Sequence, residues 1–304
     1  MDIKLGRDIC GNLAAGSDRE WLVTNGIGGY ASGTVSGLLT RSYHGLLLAT
    51  IAPPVDITLM LTKLDETVDY DGVDYPLHTN RWASGTIAPD GYRQLQSFRL
   101  DGTVPVWIYG CADALIEKRV WMQQGDNTTY IRYKMLRGSL PLSLNLKALV
   151  NYRDRHSTTQ SQNLNFDITD RQQGIKVKAF SNAAELYLSG IKDREAVSWK
   201  IKNEWYQDFA LAVEEYRGLN HIEDHLYAGS CSVDLKLGES VTIVASVDDW
   251  GFKELGLQKQ QEYEQELIDT FSNNTKLKTI PGWIEQLVLA ADRFIVDRSS
   301  ADIP

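Results

Sequence analysis

The segment LPLSLNLKALV at residues 140–150 alternates between apolar and polar side chains over its whole length. Alternation with a period of two is typical of a β-strand that turns one face to a core and the other to water or a second layer. The apolar face would carry Leu140, Leu142, Leu144, Leu146, Ala148 and Val150. The segment therefore predicts a half-buried strand.

The same pattern recurs along the chain before residue 250. Several segments are separated by turn-forming Asp-Gly pairs, as at 71–72 and 101–102. Helical periodicity between the strands is missing, which excludes a doubly wound α/β fold. The sequence predicts a mainly β protein, a sandwich of antiparallel sheets. Further strands are expected at 57–62, 104–109, 115–122, 128–136, 164–168, 175–179, 197–201 and 241–247.

Composition limits the partners of this protein. The chain of 304 residues has 31 Lys and Arg against 40 Asp and Glu, a net charge of −9. Nucleic-acid binding requires a basic surface to neutralise phosphates, so we expect no nucleic-acid partner. Apolar runs stay far below the roughly 20 residues of a membrane-spanning helix, and residues 1–10 lack the apolar core of a signal peptide. We therefore expect a cytoplasmic protein without a membrane partner.

Motifs for metals and cofactors are weak. Cys10, Cys111 and Cys231 are far apart and lack CxxC spacing, which disfavours both a disulfide framework and a zinc site. His221 and His225 have a spacing of four, but the HExxH order is missing. Nucleophile elbows of the GxSxG type are also missing. We expect no metal, no cofactor and no catalytic residue within this sequence.

The C-terminal part has helical patterns. Residues 252–271, rich in Gln, Glu and Lys, predict an exposed helix, and Pro281 opens a second helix over 281–298. The second helix carries an apolar stripe at Ile284, Leu287, Val288, Ala291 and Ile295. Such a stripe fits the opening element of a further domain or a helix that packs back onto the sandwich, and the pattern alone leaves both open.

A glycine-rich run, EWLVTNGIGGYASG, occupies residues 20–33. Its spacing loosely fits a dinucleotide fingerprint, which requires a helix to begin there. The residues that follow, SGTVSG at 32–37, disfavour a helix. Two interpretations remain: a series of turns with close backbone contacts, or a loop that presents amides and Asn25 to a ligand.

Polar groups gather at two predicted strand ends. Tyr43 and His44 precede an apolar strand, and Arg153 and Asp154 follow the strand at 140–150. Several directional groups at strand ends suit hydrogen bonding to hydroxyls. A structural hydrogen bond from His44 and a structural Arg153–Asp154 pair are the simpler alternatives.

Several blocks of this sequence resemble the N-terminal domain of bacterial and archaeal-type glycogen debranching enzymes, the amylo-α-1,6-glucosidases. The longest is EWLVTNGIGGYASGTVSGLLTRSYHGLLLA at 20–49. The later blocks follow in the same order: KLDE (63–66), FRLDGTVPVWIY (98–109), IEKRVWM (116–122), NTTYIRY (127–133), LVNYRDRH (149–156) and RGLNHIEDHLYAG (217–229). The resemblance covers most of the chain.

The resemblance implies a large antiparallel β-super-sandwich followed by an (α/α)6 barrel that carries the catalytic carboxylates. It implies a β-sandwich domain at 1–250, a helical linker at 251–280 and, at 281–304, the first helix of a catalytic domain that continues beyond this sequence. The partners would be that barrel, on the same polypeptide, and glycogen or a limit dextrin, whose α-1,6 branch points the enzyme hydrolyses with two carboxylates.

We therefore expect an accessory domain that shapes the substrate cleft and is inactive alone. Its loops at 25–33, 41–45 and 151–156 would border that cleft. Carbohydrate contacts are expected at Asn25, Tyr43, His44, Arg153 and Asp154. The alternative is a stand-alone carbohydrate-binding or assembly β-sandwich without catalytic activity.

Overall fold

The structure is a computed structural model that describes residues 3–52, 56–161, 164–249, 256–275 and 280–297. Strands dominate these ranges, and they pair antiparallel. The predicted mainly β fold is confirmed. None of the helices in these ranges has the length and apolar character needed to cross a lipid bilayer.

The strands in chain order are β1 (Lys4–Leu5), β2 (Glu20–Thr24), β3 (Tyr30–Thr34), β4 (Gly45–Ala52), β5 (Asp56–Tyr70), β6 (Val73–Pro76), β7 (Thr79–Arg81), β8 (Ile87–Asp90), β9 (Leu95–Asp101), β10 (Val104–Cys111), β11 (Ala114–Met122), β12 (Thr128–Arg137), β13 (Leu142–Asp154), β14 (Asp167–Arg171), β15 (Gly174–Lys178), β16 (Glu185–Lys192), β17 (Glu195–Ala196), β18 (Trp199–Ala210), β19 (Ile222–Leu235) and β20 (Ser240–Ser246). The helices are α1 (Arg7–Cys10), α2 (Leu13–Ser17), α3 (Ala212–Tyr216), α4 (Leu257–Asn274) and α5 (Gly282–Asp292).

Two large sheets form the body of the protein. The ten-stranded sheet has the order β1-β9-β10-β11-β12-β20-β16-β15-β14, with β17 beside β16. The eight-stranded sheet has the order β18-β19-β13-β5-β4-β3-β2, with β6 beside β5. One hydrophobic cluster draws residues from both sheets, among them Leu144 and Ile131, so the sheets pack face to face around a shared core.

Strand β13 lies at the centre of the eight-stranded sheet and carries the alternating segment. Its apolar residues from Leu142 to Val150 are buried, as expected. Leu140 lies before the strand and is 45% exposed. In the ladder, Leu146 pairs with Glu66 of β5 and with Cys231 of β19. The strand also runs on to Asp154, so the polar residues after Val150 belong to the sheet.

Several predicted element bounds are wrong. The strand expected at 57–62 is the much longer β5, which buries the charged residues Lys63, Asp65 and Glu66. The strands expected from 164 and 197 begin later, at Asp167 and Trp199. Three short helices, α1, α2 and α3, precede residue 250, where helices were not expected. Helices of four or five residues are too short to show a helical period in the sequence.

Helix α4 differs from the exposed helix expected at 252–271. It ends three residues later, at Asn274, and positions 252–255 lie outside the described residues. Its buried side chains are polar. Glu264 accepts hydrogen bonds from the backbone N–H of Thr103 at 3.1 Å and from Gln260 Nε2 at 2.9 Å. The helix is therefore attached to the sandwich at the turn between β9 and β10 through a polar contact that apolar periodicity does not reveal.

Helix α5 ends at Asp292, earlier than predicted, and position 298 lies outside the described residues. The expected apolar stripe is only partly buried. Leu287 is 58% exposed and Ile295 is 69% exposed, whereas Leu289, outside the expected stripe, is buried. The helix packs against α4, and its Gln286 Nε2 donates to the Gly102 carbonyl of the sandwich at 3.2 Å. Its exposed apolar residues face outward.

Leu146→Ala should lower the free energy of unfolding by about 2–5 kcal/mol, because it removes a buried side chain from the centre of the core. The control is Leu140→Ala, at an exposed position on the same segment, which should change stability by less than about 0.5 kcal/mol. Urea unfolding followed by tryptophan fluorescence measures both. Equal losses in the two variants would contradict the placement of β13 at the centre of the core.

Candidate functional site

A cleft of about 510 Å³ opens at one end of the eight-stranded sheet. We call it the hairpin cleft, because the β2–β3 hairpin forms one of its walls. The loop before β4, the residue that follows β13 and the segment after α5 form the others. Its lining includes Glu20, Tyr30, Arg41, Tyr43, Arg155 and Ile295.

The glycine-rich run forms the tight turn of this hairpin. Strands β2 and β3 pair from Glu20 opposite Thr34 to Thr24 opposite Tyr30. Between them Gly26 and Gly28 adopt positive φ values of 75° and 100°, a region that favours glycine. The structure thus has strand β3 directly after the turn, where a dinucleotide site would need a helix.

Asn25 is buried at the start of the turn and hydrogen-bonded within the protein. Its Nδ2 donates to the Asp126 carbonyl at 3.0 Å, and its Oδ1 accepts from the Ile27 N–H at 3.1 Å. A buried amide with such partners is a structural group. Asn25 therefore holds the turn against the segment at 126–127, behind the wall of the cleft.

His44 and Arg41 fix a carboxylate in the cleft. His44 Nδ1 accepts from the Thr40 N–H at 3.2 Å, which leaves the proton on Nε2, 3.5 Å from Glu20 Oε1. Arg41 Nε donates to the same oxygen at 2.6 Å. The contact with His44, together with that of Arg41, lowers the pKa of Glu20 to about 2. Glu20 is therefore a carboxylate at neutral pH.

Tyr43 lines the cleft and belongs to a chain of hydrogen bonds. Its hydroxyl lies 2.7 Å from His156 Nδ1. Arg155 Nε donates to the other ring nitrogen of His156 at 3.1 Å. Asp154 is exposed beside this chain, and its Oδ1 accepts from the His156 N–H at 2.8 Å. Asp154 supports the loop after β13 and is outside the cleft lining.

Arg153 forms a buried ion pair with Glu223, and not the structural pair with Asp154 that the sequence left open as an alternative. The guanidinium contacts both carboxylate oxygens of Glu223, with Nη2 at 2.9 Å from Oε2. The same Nη2 donates to the Ser42 carbonyl at 2.9 Å. Arg153 thus attaches the loop that carries Tyr43 and His44 to the centre of the sheet, although it does not line the cleft.

Burial controls protonation around this pair. Burial raises the pKa of Glu223, whereas the neighbouring charge of Arg153 lowers it. Burial and the charge of Arg153 together hold the pKa of His225 well below its usual range. Asn151 Nδ2 lies 3.1 Å from His225 Nδ1. His221 lies before β19 and contacts the Leu219 carbonyl instead. No group of three His, Cys, Asp or Glu in the described part of the chain could hold a metal ion.

The structure brings two of the five expected site residues, Tyr43 and His44, into the cleft wall. Asn25, Arg153 and Asp154 lie behind or beside that wall. Glu20, Tyr30, Arg41 and Arg155 also line the cleft. The sequence analysis did not name them as sugar contacts, although the last three lie in the loops at 25–33, 41–45 and 151–156 that were expected to border it. Tyr30 and Glu20 stand in the glycine-rich run, and the other two adjoin expected site residues. These four residues could therefore have been identified by their closeness in sequence to the expected site residues.

Arg153→Met should lower the free energy of unfolding by about 3–5 kcal/mol, because Glu223 would remain buried without its partner. The control is Arg93→Met, which removes an exposed ion pair with Asp90 and should cost at most about 1 kcal/mol. Chemical unfolding in urea measures both values. A loss of less than about 1 kcal/mol for Arg153→Met would contradict the structural role given to this ion pair.

Comparison with known proteins places the chain in a family. A bacterial glucoamylase complexed with acarbose aligns with it at a TM-score of 0.41 and 10% sequence identity, over 91% of this chain and 36% of the glucoamylase chain. No curated protein sequence matches it. The sequence profile of the family described as glycogen debranching enzyme N terminal matches residues 19–242, most of the chain. The chain therefore belongs to the glycogen debranching enzyme N-terminal family.

Proposed function

We propose that this chain is the accessory N-terminal domain of a glycoside hydrolase that cleaves α-1,6 branch points in glycogen or a limit dextrin. The observation that carries the proposal is the family match over residues 19–242. In the proposed arrangement, residues 1–250 form the sandwich and 251–280 a helical linker. Residues 281–304 begin an (α/α)6 catalytic domain on the same polypeptide.

The outward face of α5 supports this arrangement. Trp283 is 53% exposed, Leu287 58% and Phe294 83%. The spacing of four places Trp283 and Leu287 on one side of α5, and Phe294 follows two residues after the end of the helix. Burial of a large apolar side chain contributes about 1.5–3 kcal/mol, so an exposed row of them marks a contact surface. We propose that the helical catalytic domain covers this face.

The segment after α5 would place that domain beside the hairpin cleft. Arg293 Nη1 donates to the Thr24 carbonyl at 3.3 Å, and the Asp297 N–H donates to the Gly26 carbonyl at 2.8 Å. The end of α5 therefore lies across the turn of the β2–β3 hairpin. A domain packed on α5 would share a border with the cleft, and the cleft would then help to position the glucan.

Carbohydrate contacts follow from the same arrangement. Tyr43 lines the cleft and would contact sugar directly, whereas His44 is buried and would act through Glu20, whose carboxylate it contacts. Asn25, Arg153 and Asp154 would act by holding the loops that present them, through the hydrogen bonds described above.

The acidic side chains that line the cleft do not make the catalytic pair of a glycoside hydrolase. Glycoside hydrolysis uses two carboxyl groups, one of them protonated at the start of the reaction. Among the described residues that line the cleft, Glu20 is the sole carboxylic acid. With a pKa of about 2 it cannot serve as the protonated group at neutral pH. We therefore propose that both catalytic carboxylates belong to the helical domain.

The 304-residue chain alone should release no glucose from a branched limit dextrin, whereas the chain extended through its downstream reading frame should do so. Loss of general acid–base catalysis alone costs about 10²–10⁴-fold in rate. Glucose release by the two purified proteins measures the difference. Comparable turnover by both, or a stop codon directly after Pro304, would overturn the proposal. The stop codon would favour the stand-alone sandwich.

A pair of variants tests the role of α5 within the extended chain. Leu287→Asp should abolish most of the activity, because it places a charge in the proposed interdomain contact. Leu237→Asp, at a similarly exposed leucine between β19 and β20, should leave activity unchanged. Both variants should leave the unfolding of the 304-residue chain nearly unchanged. Equal activity of the two extended variants would argue against the contact.

A further inference from the structure

The hairpin cleft has a charge opposite to that of the whole protein. The chain has a net charge of −9. The cleft nevertheless brings together the guanidinium groups of Arg41, Arg155 and Arg293, with Glu20 as the one carboxylate among its described lining residues. A basic cleft on an acidic protein concentrates anions locally.

The three arginines differ in their partners. Arg41 is neutralised by Glu20 at 2.6 Å. Arg293 faces the buried carboxylate of Glu264 at 3.8 Å. Arg155 has no ion pair within the described ranges, and its Nε donates to His156. Among the described residues that line the cleft, Arg155 therefore supplies the positive charge that no ion pair offsets.

The hydrogen-bond chain assigns the protons around Tyr43. Arg155 has donors only, so His156 Nε2 must accept from it and carry no proton. A neutral imidazole then has its proton on Nδ1, which donates to the Tyr43 hydroxyl oxygen at 2.7 Å. The hydroxyl proton of Tyr43 remains available as a donor. Arg155 and Tyr43 are thus two donors linked through His156 at the cleft.

We propose that the hairpin cleft binds a phosphomonoester on a glucosyl residue, with Arg155 and Tyr43 as the groups that hold the phosphate. Guanidinium matches phosphate in geometry and charge, and the oxygens of a phosphate can accept hydrogen bonds from both Arg155 and the Tyr43 hydroxyl. The negative charge of Glu20 does not exclude a phosphate from the cleft, because Arg41 already pairs with Glu20. Leu22 and Ile295, which are 42% and 69% exposed, line the same cavity of about 510 Å³ and offer apolar surface to the sugar.

The anion site and the glucosyl group of the proposed ligand are supported by different observations. The anion site rests on the cleft alone. The glucosyl part rests on the proposed function, in which the substrate is a glucan.

Titration calorimetry of the 304-residue chain with glucose 6-phosphate, inorganic phosphate, glucose and maltotriose tests both parts. Glucose 6-phosphate should bind at least about 10-fold more tightly than either glucose or inorganic phosphate, the effect of one charge-assisted hydrogen bond. Arg155→Gln should weaken its binding by at least about 10-fold, and Tyr43→Phe by several-fold. Arg93→Gln, which changes an exposed arginine outside the cleft lining, should have no effect.

The outcomes separate this inference from the proposed function. Equal affinity for glucose and glucose 6-phosphate, or unchanged binding in an Arg155→Gln variant that unfolds like the parent, would overturn the anion site. Maltotriose binding without glucose 6-phosphate binding would also overturn it and leave the proposed function intact. Inorganic phosphate that binds as tightly as glucose 6-phosphate would overturn the glucosyl part.

Discussion

Each of the two large sheets must bury one face against the other. Strand β13, at the centre of the eight-stranded sheet, contributes many of the buried apolar side chains. It pairs with β5 on one side and β19 on the other, and its apolar residues face the ten-stranded sheet. A slip of one residue would turn Leu144 and Leu146 outward. The register of β13 also places Arg153 beside β19, where it reaches Glu223. Core packing and the position of the cleft wall therefore depend on the same pairing.

Much of the fold could be predicted from the sequence because burial follows a local period. The alternation at 140–150 correctly indicated both the strand and its buried face. The attachment of α4 could not be predicted in this way. Glu264 and Gln260 are buried against Thr103, more than 150 residues away, so apolar periodicity gives no sign of that contact. In helix α5 the apolar period predicts a buried side chain that the structure exposes, because Leu287 fits the stripe but faces outward.

The candidate site was predictable in part for a related reason. Tyr43 and His44 lie next to a strand start, and strand ends are where the edges of a sandwich become accessible. The role of Arg153 depends on a partner 70 residues away in sequence, and that of Asn25 on Asp126, 101 residues away. Local sequence offered Asp154 as the partner of Arg153, whereas the fold provides Glu223 through an adjacent strand. Side chains proposed from the sequence as ligand contacts can thus lie one layer behind a cleft and still determine its shape.

The central claim is that a helical domain on the same polypeptide covers the outward face of α5 beside the hairpin cleft. Amide hydrogen exchange of α5, residues 282–292, compared between the 304-residue chain and the chain extended through its downstream reading frame, tests it most directly. The account predicts that these amides exchange markedly more slowly in the extended chain, while those of β13 are well protected in both. Identical exchange of α5 in the two proteins would contradict it.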